Sequence, residues 1–476
     1  MEDNASYLDK IPIEVLQQIS SDLAWGYQIV PVYKNEGSIK VISANRLKPI
    51  SQELSIILGT EIEVEYVDTE TIHKALIKCY PRQNFNGLNS KSVFNDNDLL
   101  NSIVRESKML NSSDIHIETY EKRARIRLRI DGKMVEKYVL EKENYPALVN
   151  KVKILANLDI SEKRLPQDGR IYFSSEEGKF DIRVSVLPTL HGEKIVLRLL
   201  NNSAENIEIG KLGFSPEDKE KYLEGVRRPN GIVLISGPTG SGKTTTLYAT
   251  LKLLNKEVSN ILTIEDPIEY TLEGINQVQL KENIGLTFAN TLRTFLRQDP
   301  DIIMVGEIRD VETANMAIRA ALTGHLVLST IHTNSAWGTV SRLIDMGIAP
   351  FLLAGTLNLS VAQRLVRVLC PKCKLMEGPP SKELFPKNFK LYRQLKNHYI
   401  ANGCEHCQYT GYKGRKAIYE VIAIDSKLSD KIKSSELNVD ALLNERKFIS
   451  LSENAFELVE KGETTVDEIY PLLMNY

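Results

Sequence analysis

The chain has 476 residues, enough for roughly two to four domains. Its 42% hydrophobic and 26% charged residues are ordinary for a globular protein, and a net charge of -2 leaves no global cationic field to hold nucleic acid nonspecifically. The absence of any apolar run of about 18 residues argues against a membrane-spanning helix, and the polar start MEDNASYLDK lacks a signal-peptide layout. The expectation is a cytoplasmic protein, peripheral at most to a membrane.

Residues 1–80 mix short amphipathic helices with a small βαβ-like pattern. IPIEVLQQIS reads as a helix, and QIVPVYKN and SIKVISAN read as strands. No catalytic signal is present, so this segment is expected to be a docking or adaptor module. The stretch 79–98, rich in Asn, Ser and Gly, reads as a linker. Residues 95–205 read as a smaller α/β domain with antiparallel strands. In ARIRLRIDG, Ile126, Leu128 and Ile130 alternate with Arg125, Arg127 and Arg129, so the apolar and cationic sets face opposite ways. FDIRVSVLP and EKIVLRLL form a strand pair around Thr189–Gly192, and 201–213 reads as a second linker.

From about residue 214 the rhythm changes. The apolar runs GIVLIS, ILTI, DIIMV and HLVLSTI are each followed by a polar residue. Continuous runs of this kind suit strands buried on both faces of a mainly parallel sheet, whose ligands bind beyond the carboxyl ends of the strands. Residues 214–476 are therefore expected to form one α/β domain.

The segment Gly237-Pro238-Thr239-Gly240-Ser241-Gly242-Lys243-Thr244, continuing into Thr245, fits G-x-x-x-x-G-K-[ST] between a strand and a helix. Its glycines let backbone N–H groups turn inward on phosphates, and the helix N-terminus adds positive potential. Lys243 is expected to reach the β- and γ-phosphates of ATP, and Thr244 to hold Mg²⁺. Glu307 ends the strand DIIMV, where a carboxylate can hold Mg²⁺ directly or through water. Glu265, Asp266 and Glu269 cluster after ILTI, and one of them is suited to orient and deprotonate an attacking water. His325 and His332 bracket HLVLSTI. They are either core histidines or, beside the site, residues that sense phosphate or couple hydrolysis to motion.

Five cysteines are present. Cys370-Pro-Lys-Cys373 and Cys404-Glu-His-Cys407 are two knuckles that can complete a tetrahedral four-sulfur Zn²⁺ site; a redox dithiol is the alternative. Four protein ligands leave no open position, so such zinc is structural. The 30 intervening residues exceed the usual spacing of about 15–20, and KNFKLYRQLKNHYI is expected to form a helical arm. His406 is an outside candidate for replacing one thiol, and Cys79 reads as an inert core thiol.

GPTGSGKTTTLY, ILTIEDPIEY, LRTFLRQDPDIIMVGEIRD and TGHLVLSTIHTN, in this order, resemble the Walker A, Asp-box, Walker B and His-box segments of the type II/IV secretion ATPases. SDIHIE, KRLPQDGR, RVSVLPTLHGEKIVLRLL and the cysteine pairs extend the resemblance over about residues 95–425. Among members the chain looks most like the ATPases of type II secretion and type IV pilus assembly. The resemblance implies a RecA-like P-loop NTPase domain carrying a zinc-binding tetracysteine subdomain at 366–415. A PAS-like α/β domain and an N-terminal docking module would precede it. It also implies a homohexamer, with ATP held between the C-terminal domain and the preceding one. Partners would be an inner-membrane platform protein and a membrane-bound docking protein, at the cytoplasmic side of the inner membrane. By family role Glu269 is the candidate general base and Glu307 the Mg²⁺-associated acid, with Glu265 and Asp266 in support. Arg183 and Arg198 match arginines offered to the phosphates. In a hairpin centred between Leu190 and His191 they fall opposite each other on one face, where two guanidiniums can clamp a triphosphate. Two rival readings are a nucleic-acid motor and a simple P-loop kinase or switch. The near-zero net charge opposes the first, and no direct nucleic-acid contact is expected. The arginine-bearing domain and the cysteine module oppose the second.

Overall fold

A computed structural model describes residues 11–474, apart from 17, 20, 36, 45–49, 81–95, 176–177, 201–207, 388 and 447. Most of the two expected linkers, 79–98 and 201–213, lies outside the described residues. The chain divides into two compact units. One comprises Met1–Leu199, Cys370–Leu375 and Ile400–Lys413, and the other Leu200–Leu369, Met376–Tyr399 and Gly414–Tyr476.

The first unit opens with α1 (Ile13–Leu16), α2 (Ser21–Tyr27), β1 (Ile29–Lys34), β2 (Ser38–Ser43), α3 (Ile50–Leu58), β3 (Glu61–Tyr66) and α4 (Thr69–Cys79). β1 runs antiparallel to β2, while β2 and β3 pair in parallel across α3, so the βαβ pattern is realised. The module has its own apolar core, and Cys79 packs half-buried against it.

Then follow α5 (Asp96–Met109), β4 (Asp114–Thr119), β5 (Arg123–Ile130), β6 (Lys133–Glu141), α6 (Tyr145–Leu155), β7 (Gln167–Ser175), β8 (Gly178–Thr189) and β9 (Gly192–Leu200). The six strands form one sheet in the order β6-β5-β4-β9-β8-β7, and the pairings β4–β5, β4–β9, β5–β6 and β7–β8 are antiparallel. The period-2 alternation of β5 works as expected. Ala124, Ile126 and Leu128 are buried in a core shared with Ile103 and Val104 of α5 and Val149 and Val152 of α6. Arg125 and Arg127 meet Glu118 on the opposite face, and Arg129 meets Asp114.

The second unit is built on α7 (Pro216–Val226), β10 (Gly231–Ser236), α8 (Lys243–Leu254), β11 (Ile261–Glu265), β12 (Asn276–Gln279), α9 (Phe288–Phe295), β13 (Ile302–Val305), α10 (Val311–Leu322), β14 (Leu326–Ile331), α11 (Gly338–Asp345), α12 (Pro350–Thr356) and β15 (Leu357–Leu369). Two short strands follow, β16 (Lys374–Glu377) and β17 (His398–Ala401), and then β18 (Tyr412–Ala423), α13 (Ser426–Lys433), α14 (Asp440–Glu445), α15 (Leu451–Glu460) and α16 (Val466–Leu473). The main sheet runs β12-β11-β13-β14-β10-β15-β18. β10 is parallel to β14 and β15, β11 to β12 and β13, and β13 to β14.

Side-chain alternation explains why the central strands are mainly apolar. Ile232 and Leu234 of β10 enter one core, and Val233 and Ile235 enter the other. β13 divides in the same way, with Ile303 and Val305 on one side and Ile302 and Met304 on the other. A strand buried on both faces is mostly apolar, and its few polar side chains, such as Thr263 and Ser329, are hydrogen-bonded. Each fully buried aliphatic side chain contributes about 1.5–3 kcal/mol.

The expected helical arm at KNFKLYRQLKNHYI is corrected. No α-helix occurs among the described residues between β16 and β17. Instead Phe385, Phe389 and Tyr392 dock on Phe456 of α15, with ring centroids 6.4, 6.4 and 5.7 Å away. Packing three rings on one neighbour, with Phe385 buried, outweighs the modest helix propensity of the intervening lysines and arginines.

Candidate functional site

The parallel strands β10, β11, β13 and β14 end side by side, and their last residues are Ser236, Glu265, Val305 and Ile331. The P-loop follows β10, the acids Asp266 and Glu269 follow β11, Glu307 follows β13 and His332 follows β14. The tertiary fold thus gathers four separate sequence segments along one edge of the sheet.

The loop is shaped by glycines whose backbone lies in the region that L side chains rarely adopt. Gly237, Gly240 and Gly242 have φ of 151°, 81° and 88°. A Cβ on Gly237 would lie 2.6 Å from the Gln363 carbonyl oxygen and from Ser241 Oγ. On Gly242 it would lie 2.8 Å from Gln363 Nε2. Gln363 is fully buried, and its Oε1 accepts from Thr246 at 2.9 Å, so β15 forms a wall behind the loop. Lys243 donates to the carbonyls of Gly237 at 2.7 Å and Pro238 at 3.1 Å. Burial holds its ammonium below the usual lysine range. Arg364 adds to that shift and Glu307 opposes it. The buried Ser241 hydroxyl has no hydrogen-bond partner among the described residues. An unmet donor beside inward-turned amides and a lysine fits a phosphate chain.

Glu307 accepts from Arg309 Nη2 at 2.5 Å, and His332 Nε2 stands 3.5 Å away. Burial alone would raise its carboxyl, but the hydrogen bond and charge of Arg309, with His332 and Lys243, bring it below the usual range. Arg309 also lies 3.6 Å from Asp266 Oδ2, bridging two of the strand-end acids. An ionised Glu307 facing Lys243 fits a divalent cation beside the loop, and the exposed hydroxyls of Thr244 and Thr245 begin α8 there.

Glu265 behaves differently from its neighbours. Its side chain is buried, and Thr263 and Gln277 donate to Oε1 at 2.6 and 3.0 Å. The Tyr248 hydroxyl donates to Oε2. Glu269 is half-buried on the following loop, and its backbone N–H donates to Tyr248 Oη at 3.3 Å.

The histidines part company. His332 sits at the carboxyl end of β14, beside Glu307. His325 precedes the amino end of that six-residue strand, about 20 Å of extended chain away. There its Nδ1 shares a hydrogen bond with the Ala320 carbonyl and its own carbonyl accepts from Gly231 N–H. The expectation that His325 lies beside the site is therefore corrected, and only His332 does so. A parallel strand sends its two ends to opposite sheet edges.

Arg183 and Arg198 occupy β8 and β9. The residues flanking them, Ile182, Val184, Leu197 and Leu199, are buried, so both arginines lie on the face away from the core. Leu190 and His191 form the two-residue turn joining β8 and β9. Arg198 Nε donates to Asp114 at 2.9 Å with its side chain 60% exposed, and Arg183 is cross-strand from Arg170.

The four knuckle cysteines converge. Their sulfurs all lie within 4.8 Å of one another, and three pairs are 3.8 Å apart. Four thiolates at about 2.3 Å from a tetrahedral ion are separated by about 3.8 Å. Backbone N–H groups of Cys404 and Gly411 point at Cys407 Sγ at 3.2 and 3.3 Å. His406 is outside the cluster, with its ring nitrogen 3.1 Å from Lys413 Nζ.

Sequence reasoning gave no role to Arg309, Gln363, Arg364, Tyr248 or Gln277. Arg309 stands two residues after Glu307, which is the one local signal. The others come from β15, β12 and the far side of α8, and nothing in the chain order marks them.

The family described as Type II/IV secretion system protein matches residues 92–471. The chain is 48% identical over 372 residues to the type II secretion system protein E of Pseudomonas aeruginosa, covering 78% of this chain and 74% of that one. It is 47% identical over 387 residues to the type IV pilus assembly ATPase PilB of Myxococcus xanthus, covering 78% and 66%. The X-ray structure of the Legionella pneumophila ATPase DotB aligns with a TM-score of 0.58 at 22% identity, covering 79% and 95%, which bears on the fold alone. The crystal structure of the pilus retraction motor PilT with bound ADP aligns with a TM-score of 0.52 at 27% identity, covering 77% and 94%.

Proposed function

This chain belongs to the Type II/IV secretion system protein family and is an ATPase of the secretion and pilus-assembly kind, and we propose that it hydrolyses Mg²⁺-ATP as a hexamer to drive type II secretion or type IV pilus assembly from the inner face of the inner membrane. The observation that carries this reading is the convergence of the glycine loop, Lys243, Glu307 and the Glu265–Glu269 segment at one sheet edge.

In the proposed reaction the loop amides and Lys243 bind the β- and γ-phosphates. Thr244 and Glu307 would hold Mg²⁺, which supplies charge neutralisation when bound. Glu269 accepts the proton of the attacking water, and Asp266 steadies Arg309 and the acid cluster. His332 reads the occupancy of the site through Glu307. Arg183 and Arg198 stabilise the charge on the transferring phosphoryl group, a role that can be worth about 10³–10⁵ in rate. Their shared outward face and the exposure of Arg198 support this assignment. His325 keeps no proposed role in its own chain's chemistry. The four cysteines fit zinc, which would close the knuckles as a structural ion.

No helix among the described residues is long and apolar enough to cross a membrane, in keeping with peripheral attachment. Residues 1–80 are the proposed docking module for a membrane-bound partner, and an inner-membrane platform protein is the proposed recipient of the motion. Direct nucleic-acid binding is not expected.

The test pairs two variants of the full chain. Lys243→Ala loses ATP binding and turnover, whereas Glu269→Gln keeps Mg²⁺-ATP binding and loses turnover by at least about 10²-fold. Light scattering reports the hexamer. Normal hydrolysis by Glu269→Gln overturns the base assignment, and a fully active monomer overturns the ring.

A further inference from the structure

The buried carboxylate of Glu265 is surrounded by donors that belong to different elements. Thr263 comes from the same strand, Tyr248 from α8 and Gln277 from β12. Two of these donors have a second hold, in each case on the backbone of the loop after β11. Tyr248 Oη accepts from the N–H of Glu269 at 3.3 Å. Gln277 Oε1 accepts from the N–H of Leu272 at 2.7 Å, while its Nε2 also reaches the carbonyl of Tyr270 at 3.2 Å. Residues 269, 270 and 272 are thus each tied by the backbone to a side chain that is itself tied to Glu265.

We propose that Tyr248 and Gln277 are positioning residues for ATP hydrolysis, acting through the Glu265 carboxylate to fix the loop that presents Glu269. The proposal rests on the reading of Glu269 as the general base. Glu265 touches no reacting atom in this scheme. Its two oxygens are committed to three donors, so its role is to anchor.

The direction of the chain follows from proton count. Burial, then the neighbouring Glu265, pushes the Tyr248 phenol up, so it stays protonated. Its one proton goes to Glu265, leaving its lone pair to receive the Glu269 N–H. Replacing Glu265 by glutamine would leave one acceptor oxygen and set an NH2 donor against at least one of the three donors. The fit therefore requires a carboxylate. Tyr248 stands five residues after Lys243 on the same helix, so the element that caps the phosphates also carries the hold on the base. A base moved by about 1 Å loses roughly 10²-fold in rate.

The experiment uses Tyr248→Phe and Gln277→Leu in the full chain, with Glu269→Gln and the double variant Tyr248→Phe/Glu269→Gln. Phenylalanine keeps the edge-on packing with Tyr270 at 4.5 Å between centroids, so folding is checked by Tm and by Mg²⁺-ATP affinity. Tyr248→Phe is expected to keep ATP affinity and KM within about 2-fold and lower kcat about tenfold or more. The double variant is expected to be no slower than Glu269→Gln alone, because Tyr248 acts only through Glu269. Wild-type kcat in Tyr248→Phe with Glu269→Gln inactive overturns the positioning role and leaves the base assignment standing. So does a multiplicative loss in the double variant. Wild-type kcat in Glu269→Gln overturns the base assignment and this inference together. Gln277→Leu provides the second arm: a kcat loss at unchanged ATP affinity supports the anchor, and a loss of affinity with unchanged kcat overturns it.

Discussion

His332 Nε2 stands 3.5 Å from Glu307 Oε2, at the carboxyl ends of two adjacent parallel strands. The other oxygen of the same carboxylate is taken by Arg309. Glu307 is therefore held between the Arg309 guanidinium and the His332 ring, with the Lys243 ammonium nearby, and it stays ionised in a half-buried site.

That arrangement predicts a pH effect. The Glu307 carboxyl is held below its ordinary value in the fold, so the stabilisation is present above the unfolded value and lost as pH falls through the folded one. Arg309→Ala removes the main opposing influence, and burial then pushes the carboxyl up. The acid limb of the kcat profile is expected to move to higher pH, with a larger loss of activity at pH 6 than at pH 8. Arg309 is about half-exposed, so the Tm change should correspond to no more than about 1 kcal/mol. An unmoved acid limb would contradict the coupling.

Glu118 gives a second, purely structural titration. Burial opposes ionisation, but Arg127, Lys194 and Arg125 donate to it and bring its carboxyl down to about 2, from an ordinary 4.5. Its stabilising effect is full above 4.5 and is lost as pH falls towards 2. Glu118→Gln is expected to destabilise the six-stranded domain by roughly 3 kcal/mol at pH 7. Thermal melts of the two proteins should converge as the pH approaches 2.

The glycine loop predicts the outcome of a one-carbon insertion. Gly242 has a φ of 88°, and its Cβ would lie 2.8 Å from the buried Gln363 amide. Gly242→Ala is expected to cost about 1–3 kcal/mol in stability and to weaken Mg²⁺-ATP binding more than tenfold by calorimetry. Gly240, with nothing within 4 Å of an added Cβ, should disturb the packing less.

The cysteine cluster predicts metal dependence. Elemental analysis of the purified chain should find about one zinc per chain. Cys373→Ser, or a strong chelator, should remove the zinc and lower Tm by roughly 10 °C, because metal binding free energy is folding free energy. Unchanged Tm after complete zinc removal would show that the knuckles close without an ion.

The sequence by itself determined the chemistry held in contiguous segments. G-x-x-x-x-G-K-T needs only its own glycines and the helix that follows, so the phosphate loop was legible from residues 237–245. The paired cysteines were legible for the same reason, since each knuckle is a local turn. The alternation of β5 fixed its cationic and apolar faces, and the uniform apolar runs announced strands covered on both sides. Tertiary structure alone decided which segments meet. Strand order put β11, β13 and β14 beside β10, and only that order brings Glu307 to Lys243. It also buried Glu265, one of three candidate acids in its segment, where Tyr248 and Gln277 reach it from elements distant in the chain. The insert that resembles a helix gave way to aromatic docking on Phe456. Local periodicity carries no information about which distant surface offers the larger burial.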